Sequence, residues 1–222
     1  MRVWLASYPR SGNTFLRIVL RNVFGLTSTS LHPGESAVFD KFSDVSTIIG
    51  HYEEHGPDGS PDHRTEQPNT GLELVKTHDR PPDAGPAIYI VRDGRSAIVS
   101  YFHYLRTFAR FQTTIGDIIA GRLWPGSWSA HYRVWKPSER ANTLFLRYEE
   151  LRDENAKACQ KIGAFLKREP IRPFNISFAT LQKLNPEFFR VADQNRSLSE
   201  IQPYMDAFLE HHGAVMRELG YI

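Results

Sequence analysis

The chain has 222 residues, 41% of them hydrophobic and 12% aromatic, enough to bury the core of one α/β domain but short for two. Its 27 basic and 25 acidic residues leave a net charge of +2, which excludes the overall basic field of a nucleic-acid binder and makes any anion site a local one. The one cysteine, Cys159, excludes an intrachain disulfide and a Cys-rich zinc site, and fits a buried helix position in a reducing compartment.

The apolar start, Met1 to Ala6, is too short for a signal-peptide core and meets the charge of Arg10 almost at once. It reads as a strand over Val3 to Ser7. Turn formers fill Tyr8 to Thr14, and helical periodicity runs from Phe15 to Phe24 until Gly25 ends it. Phe15, Leu16, Val19, Leu20 and Val23 are predicted to face the core, with Arg17 and Arg21, one turn apart, on the wet side. Both arginines interrupt an apolar stretch already far short of a bilayer span, so the chain is predicted to be cytoplasmic, with no membrane partner.

The stretch 51–71 mixes Gly, Pro, Asp, Glu, His and Asn without periodicity and reads as a surface loop able to serve as a lid. A strand over Leu72 to Thr77 leads into Lys76-Thr77-His78-Asp79, and Pro81-Pro82 stops it. Ala87 to Val91 is a clearer strand, followed by Arg92-Asp93-Gly94-Arg95 and a helix from Ser96 to about Phe108. Thr143 to Arg147 is another strand, entering a helix from about Tyr148 to Leu166, and Pro203 to Leu219 is a terminal amphipathic helix. Such alternation predicts a single α/β domain over 1–222 with a mostly parallel sheet covered on both faces and a ligand crevice beyond the carboxyl ends of its strands. Residues 10–14, 76–79 and 92–95 each follow a predicted strand, so three polar segments meet on that rim.

The loop after the first strand can aim several backbone N–H groups and the positive end of a helix at an anion. Gly12 allows close approach, Arg10 adds charge, and the Ser11 and Thr14 hydroxyls can donate to phosphate or cap the helix. It is not a Walker A loop, having no Gly-Lys pair, and neither G-x-G-x-x-G nor G-x-S-x-G occurs. Arg92 offers a bidentate donor to phosphate, or one half of a salt bridge. Ser100 is a second donor to that anion or a helix-packing residue. A neutral imidazole such as that of His78 suits proton removal from an alcohol or phenol, although histidines at strand ends also serve structure.

Taken together, these segments resemble those of the PAPS-dependent sulfotransferases of cytosolic type. Tyr8-Pro9-Arg10-Ser11-Gly12-Asn13-Thr14-Phe15 is similar to that family's Tyr-Pro-Lys-Ser-Gly-Thr-Thr-Trp loop, which holds the 5′ phosphosulfate of 3′-phosphoadenosine 5′-phosphosulfate (PAPS). The resemblance implies that Arg10 stands at the family's lysine position, that Ser11, Gly12, Asn13 and Thr14 cradle phosphate, and that Phe15 stands where a tryptophan stacks on adenine. It implies that Arg92 and Ser100, eight positions apart, hold the 3′-phosphate. Lys76-Thr77-His78 resembles the family segment whose lysine contacts the transferring sulfonate and whose histidine is the general base. Arg147-Tyr148-Glu149 resembles a Tyr-Glu-Asp element, implying that Tyr148 helps to hold adenine, and Arg190 is carried over as a further 3′-phosphate contact. The implied fold has a P-loop-like phosphate loop, the implied product is adenosine 3′,5′-bisphosphate (PAP), and no metal is called for. Three departures stand out: Arg10 for lysine, Phe15 for tryptophan, and Asp79 where the family usually has an apolar residue.

The acceptor is left open between a small-molecule hydroxyl or amine and a carbohydrate. Phe102, Tyr104, Phe108, Phe111, Trp124 and Trp128 are candidates for its pocket as well as for the core. The competing readings are a small-molecule kinase with Asp93 as magnesium ligand, and a non-catalytic nucleotide-binding module. Glu73 and Asp93 are the alternative bases.

Overall fold

The computed structural model describes residues 1–32, 43–52, 71–186, 189 and 194–222. Its strands are β1 (Arg2–Ser7), β2 (Thr29–Ser30), β3 (Glu73–Thr77), β4 (Ala87–Val91) and β5 (Thr143–Arg147), joined in one all-parallel sheet of order β2-β3-β1-β4-β5. The described helices are α1 (Asn13–Phe24), α2 (Ser43–Ile49), α3 (Gly94–Thr107), α4 (Ile115–Ile119), α5 (Trp128–Trp135), α6 (Tyr148–Asp153), α7 (Asn155–Leu166), α8 (Phe178–Leu184), α9 (Gln194–Ile201) and α10 (Met205–Glu218).

Alternation along the central strands feeds two cores. Trp4, Ala6, Tyr89 and Val91 point to one face, against Ile98 of α3, Trp128 and Trp135 of α5, and Phe208 and Met216 of α10. Val3, Leu5, Ile88 and Ile90 point to the other, against Leu16, Leu20 and Val23 of α1 and Ile162 and Leu166 of α7. Burial on both faces is why β1 and β4 read as continuous apolar runs rather than alternating ones.

In register, Ala6 lies beside Thr77, Ser7 beside Ile90, and Val91 beside Arg147. The chain therefore leaves β1, β3, β4 and β5 at one edge of the sheet, and β1 sits between the arms that run toward β3 and toward β4. That is the switch point at which a crevice opens in such sheets.

Three local expectations are corrected. Arg17 is not on a wet face: it is wholly buried, its Nε donating to Ser28 Oγ (2.7 Å) and its Nη2 meeting His51 Nδ1 at 2.7 Å. The helical pattern gives α1 one apolar stripe, but α2 packs on the helix as well, so a second side is covered. The helix expected from Tyr148 to Leu166 is two, parted at Glu154 (φ −118°, ψ 42°). Asn155 Nδ2 donates to Leu151 O (2.9 Å), the carbonyl that a continuous helix would give to the Asn155 main chain. The last helix begins as a 3₁₀ turn at Gln202–Tyr204, where Pro203 has no N–H to continue an α-helix from α9.

Candidate functional site

The loop after β1 is bent by two residues with positive φ, Arg10 (63°) and Gly12 (108°). A Cβ on Gly12 would lie 2.5 Å from the Tyr148 ring, so both conformation and space demand glycine. Gly12 is also the N-cap of α1, which has no side-chain cap. The first-turn N–H groups therefore present the positive end of a twelve-residue helix to the crevice. Neither Ser11 nor Thr14 serves as the cap. Ser11 is buried, and its hydroxyl has no hydrogen-bond partner among the described residues; Asn13 Oδ1 is in the same condition. Asn13 Nδ2 meanwhile donates to Leu5 O (2.8 Å), tying helix to strand. The unmatched Ser11 hydroxyl, a donor buried beside a helix N-terminus, fits an oxyanion ligand; the Asn13 oxygen, which can only accept, does not contribute to that fit.

The segment after β4 closes on this loop. Arg92 Nη1 donates to Arg10 O (3.2 Å), and its guanidinium lies 4.8 Å from the centre of the Tyr148 ring. Ser100, on α3, accepts from Arg10 Nε (3.2 Å), while the Arg10 guanidinium lies 5.4 Å from the Tyr104 ring centre. Arg10, Arg92, Ser100 and Tyr148, from three separate stretches of chain, are thus neighbours. Phe15 is half-buried and meets Tyr148 (6.2 Å) and Phe174 (5.6 Å) edge-on, so an aromatic trio flanks the loop. Phe174 carries no local signal in the sequence; only the return of the chain past α7 brings it there.

Asp93 caps α3, its Oδ1 accepting from Arg95 N (2.9 Å), and both carboxylate oxygens bond the Arg95 guanidinium. That engagement accounts for its burial. Glu73 stands at the opposite end of β3, paired with Arg2 at 2.8 Å.

Lys76 is buried on β3, and half-buried His78 follows the strand. His78 Nδ1 lies 2.6 Å from the Ser7 carbonyl oxygen, which can only accept, so Nδ1 carries the proton and Nε2 is the basic nitrogen. Three aromatic residues that no motif marks hold the segment. His32 Nε2 accepts the His78 backbone N–H (3.0 Å), His131 Nε2 donates to His78 O (3.0 Å), and Trp135 Nε1 donates to Asp79 O (2.8 Å). Burial pushes the His131 pKa down to about 4, which keeps this ring neutral. Trp124 Nε1 donates to Asp79 Oδ1 (2.9 Å), and its half-exposed ring stands over an open depression of about 470 Å³ lined by Leu31, Asp79, Arg80, Pro82, Trp124 and Pro125. Of the other aromatics considered for an acceptor pocket, Trp128 belongs to the core and Phe111 is exposed.

Arg190 and residues 53–70 of the expected lid lie outside the described residues. Among the described residues no cluster of three His, Cys, Asp or Glu side chains could hold a metal ion, and no helix is long and apolar enough to cross a membrane.

A family model described as sulfotransferase domain matches residues 1–173. Mouse sulfotransferase 1E1 is 25% identical over 185 residues, covering 75% of this chain and 59% of its own length. Mouse sulfotransferase 4A1 is 26% identical over 179 residues, covering 74% and 59%. The chain thus spans about three-fifths of the length of these curated relatives. In fold it is similar to mouse sulfotransferase SULT7A1 complexed with PAP, at a TM-score of 0.65 and 20% identity over 99% of this chain and 88% of that one.

Proposed function

The chain belongs to the sulfotransferase domain family, and from that premise we propose that it moves a sulfuryl group from PAPS to a hydroxyl or amine of a small-molecule or glycan acceptor. The observation that carries the reading is the oxyanion cradle: an uncapped α1 and the unmatched Ser11 hydroxyl, with Arg10, Arg92 and Ser100 gathered beside them. The PAP complex of a protein of like fold supports the choice of nucleotide.

Arg10, Ser11, Gly12, Asn13 and Thr14 would hold the 5′ phosphosulfate, Arg92 and Ser100 the 3′-phosphate, and Phe15 with Tyr148 the adenine. When bound, PAPS supplies an activated sulfuryl group and leaves as PAP. His78 takes the acceptor's proton on Nε2, the nitrogen left basic by the bond from Nδ1 to Ser7. Lys76 and Arg10 meet negative charge as it spreads over the sulfonate and the departing phosphate. The open depression under Trp124 is the proposed way in for the acceptor. A kinase reading would need Asp93 for magnesium, and Arg95 already engages both of its oxygens.

Thermal-shift titration with PAP, AMP, and ATP with and without magnesium tests this. PAP is expected to stabilise the protein most, and transfer from labelled PAPS to a panel of phenols, alcohols, amines and sugars then identifies the acceptor. Stabilisation by ATP and magnesium alone would reverse the proposal.

A further inference from the structure

Two imidazoles that no sequence motif singles out grip the main chain of His78 from opposite ends of one residue. His32 accepts its N–H at Nε2 (3.0 Å), and its ring lies nearly parallel to the His78 ring (11°), with centres 5.5 Å apart. His131 donates from Nε2 to its carbonyl oxygen (3.0 Å). Each grip is fixed from behind. Because His78 O can only accept, the His131 proton sits on Nε2, and Tyr89 Oη then donates to the bare Nδ1 (2.9 Å) and holds that tautomer. The edge of Trp124 meets the His32 ring at 4.8 Å and the His78 ring at 6.0 Å, and Trp124 is itself bonded to Asp79 Oδ1 (2.9 Å). The His78 ring is held in turn by Ser7 O (2.6 Å). Backbone and ring are therefore both pinned just beyond the end of a five-residue strand, where a chain would otherwise be free to swing.

We infer that His32 and His131 are positioning residues, which fix the main chain of His78 so that its imidazole keeps one tautomer and presents Nε2 at the crevice. This rests on the reading of His78 as the base. Loss of either grip lets the ring trade its bond to Ser7 for water, and a misplaced reacting group costs up to about a hundredfold in rate.

The test uses the full chain and the variants His32→Ala, His32→Gln, His131→Phe and His78→Ala. Long-range nitrogen–proton correlation spectra of the imidazoles, with His78→Ala for assignment, need no acceptor. Wild type is expected to show His78 protonated at Nδ1 alone. His32→Ala and His131→Phe, which removes the donor to His78 O, are expected to show mixed tautomers with PAP affinity within about twofold, and His32→Gln, which keeps an acceptor for the His78 N–H, to restore the single form. With labelled PAPS and 2-naphthol, turnover should fall about ten- to a hundredfold in His32→Ala at unchanged KM for PAPS. His32 is only half-buried, so that variant tests the inference even if His131→Phe does not fold. An unchanged His78 tautomer in a folded His32→Ala overturns the inference. Transfer that survives His78→Ala overturns the reading beneath it and leaves the spectra standing as a result about structure.

Discussion

His78 and Arg92 stand one step past the ends of β3 and β4, the strands on either side of β1, yet different bonds hold them and they should fail in different ways. His78 is oriented by Ser7 O, its partner on the next strand, so His78→Ala should leave the nucleotide cradle intact. Transfer should drop by about a hundred- to ten-thousandfold, the usual contribution of a general base, with PAP affinity in calorimetry nearly unchanged; near-normal turnover would remove it from the chemistry. Arg92 is held against Arg10 O and the Tyr148 ring. If it binds the 3′-phosphate, Arg92→Ala should weaken PAP by on the order of 2 kcal/mol, as expected for charge-assisted bonds, while AMP changes little. Equal losses for the two nucleotides would make it a structural residue. The residues named in these tests were legible because their chemistry lies in short motifs at strand ends. His32, His131 and Phe174 were not, since each reaches the site from a distant stretch of chain and looks, by itself, like any aromatic residue.

Among elements, legibility followed burial. β1 and β4, covered on both faces, announce themselves as apolar runs, and β4 begins and ends where the sequence indicates. Helices α4 and α5 are short and went unread, although their starts are marked: Thr114 forms a capping box with Asp117, and Ser127 caps Ala130 N. The helix α1 shows the limit of a periodic argument. Arg17 and Arg21 look equivalent in sequence, one turn apart, yet only Arg17 is enclosed, where it joins α1 to Ser28 before β2 and to His51 after α2. Arg17→Ala should therefore lower unfolding free energy by about 3 kcal/mol or more, since it strips buried hydrogen bonds to a charged group. Arg21→Ala, half-exposed and bonded to Gly25 O at a long 3.5 Å, should cost less than about 1 kcal/mol. Urea denaturation of the two variants decides it, and similar losses would mean that Arg17 gains nothing from its enclosure.

On the scale of the whole molecule, α5 ties the sheet to the last helix through two buried histidines, and this gives the fold a dependence on acid. His131 bonds Tyr89 of β4, and His212 of α10 shares a 2.9 Å hydrogen bond with Ser129 of α5. Burial lowers both pKa values from 6.5 to about 4. Above pH 6.5 neither the folded nor the unfolded chain protonates them, and the stability is fully present. As pH falls from 6.5 toward 4 the unfolded chain takes up protons that the folded one refuses, so unfolding gains ground by about 1.4 kcal/mol per pH unit for each ring and up to about 3 kcal/mol in total for each. The carboxylates held below their ordinary range, among them Asp83 and Glu150, start near 4 and contribute mainly under that window. Urea midpoints at pH 7.5, 6 and 5 should therefore fall steadily, at near-constant m-value. In His212→Gln, which keeps a polar partner for Ser129 but cannot titrate, the slope between pH 6 and 5 should be about half that of wild type. A wild-type midpoint that stays level from pH 7.5 to 5 would mean that these rings take up protons without unfolding the chain, through local opening of α10 or entry of water beside α5.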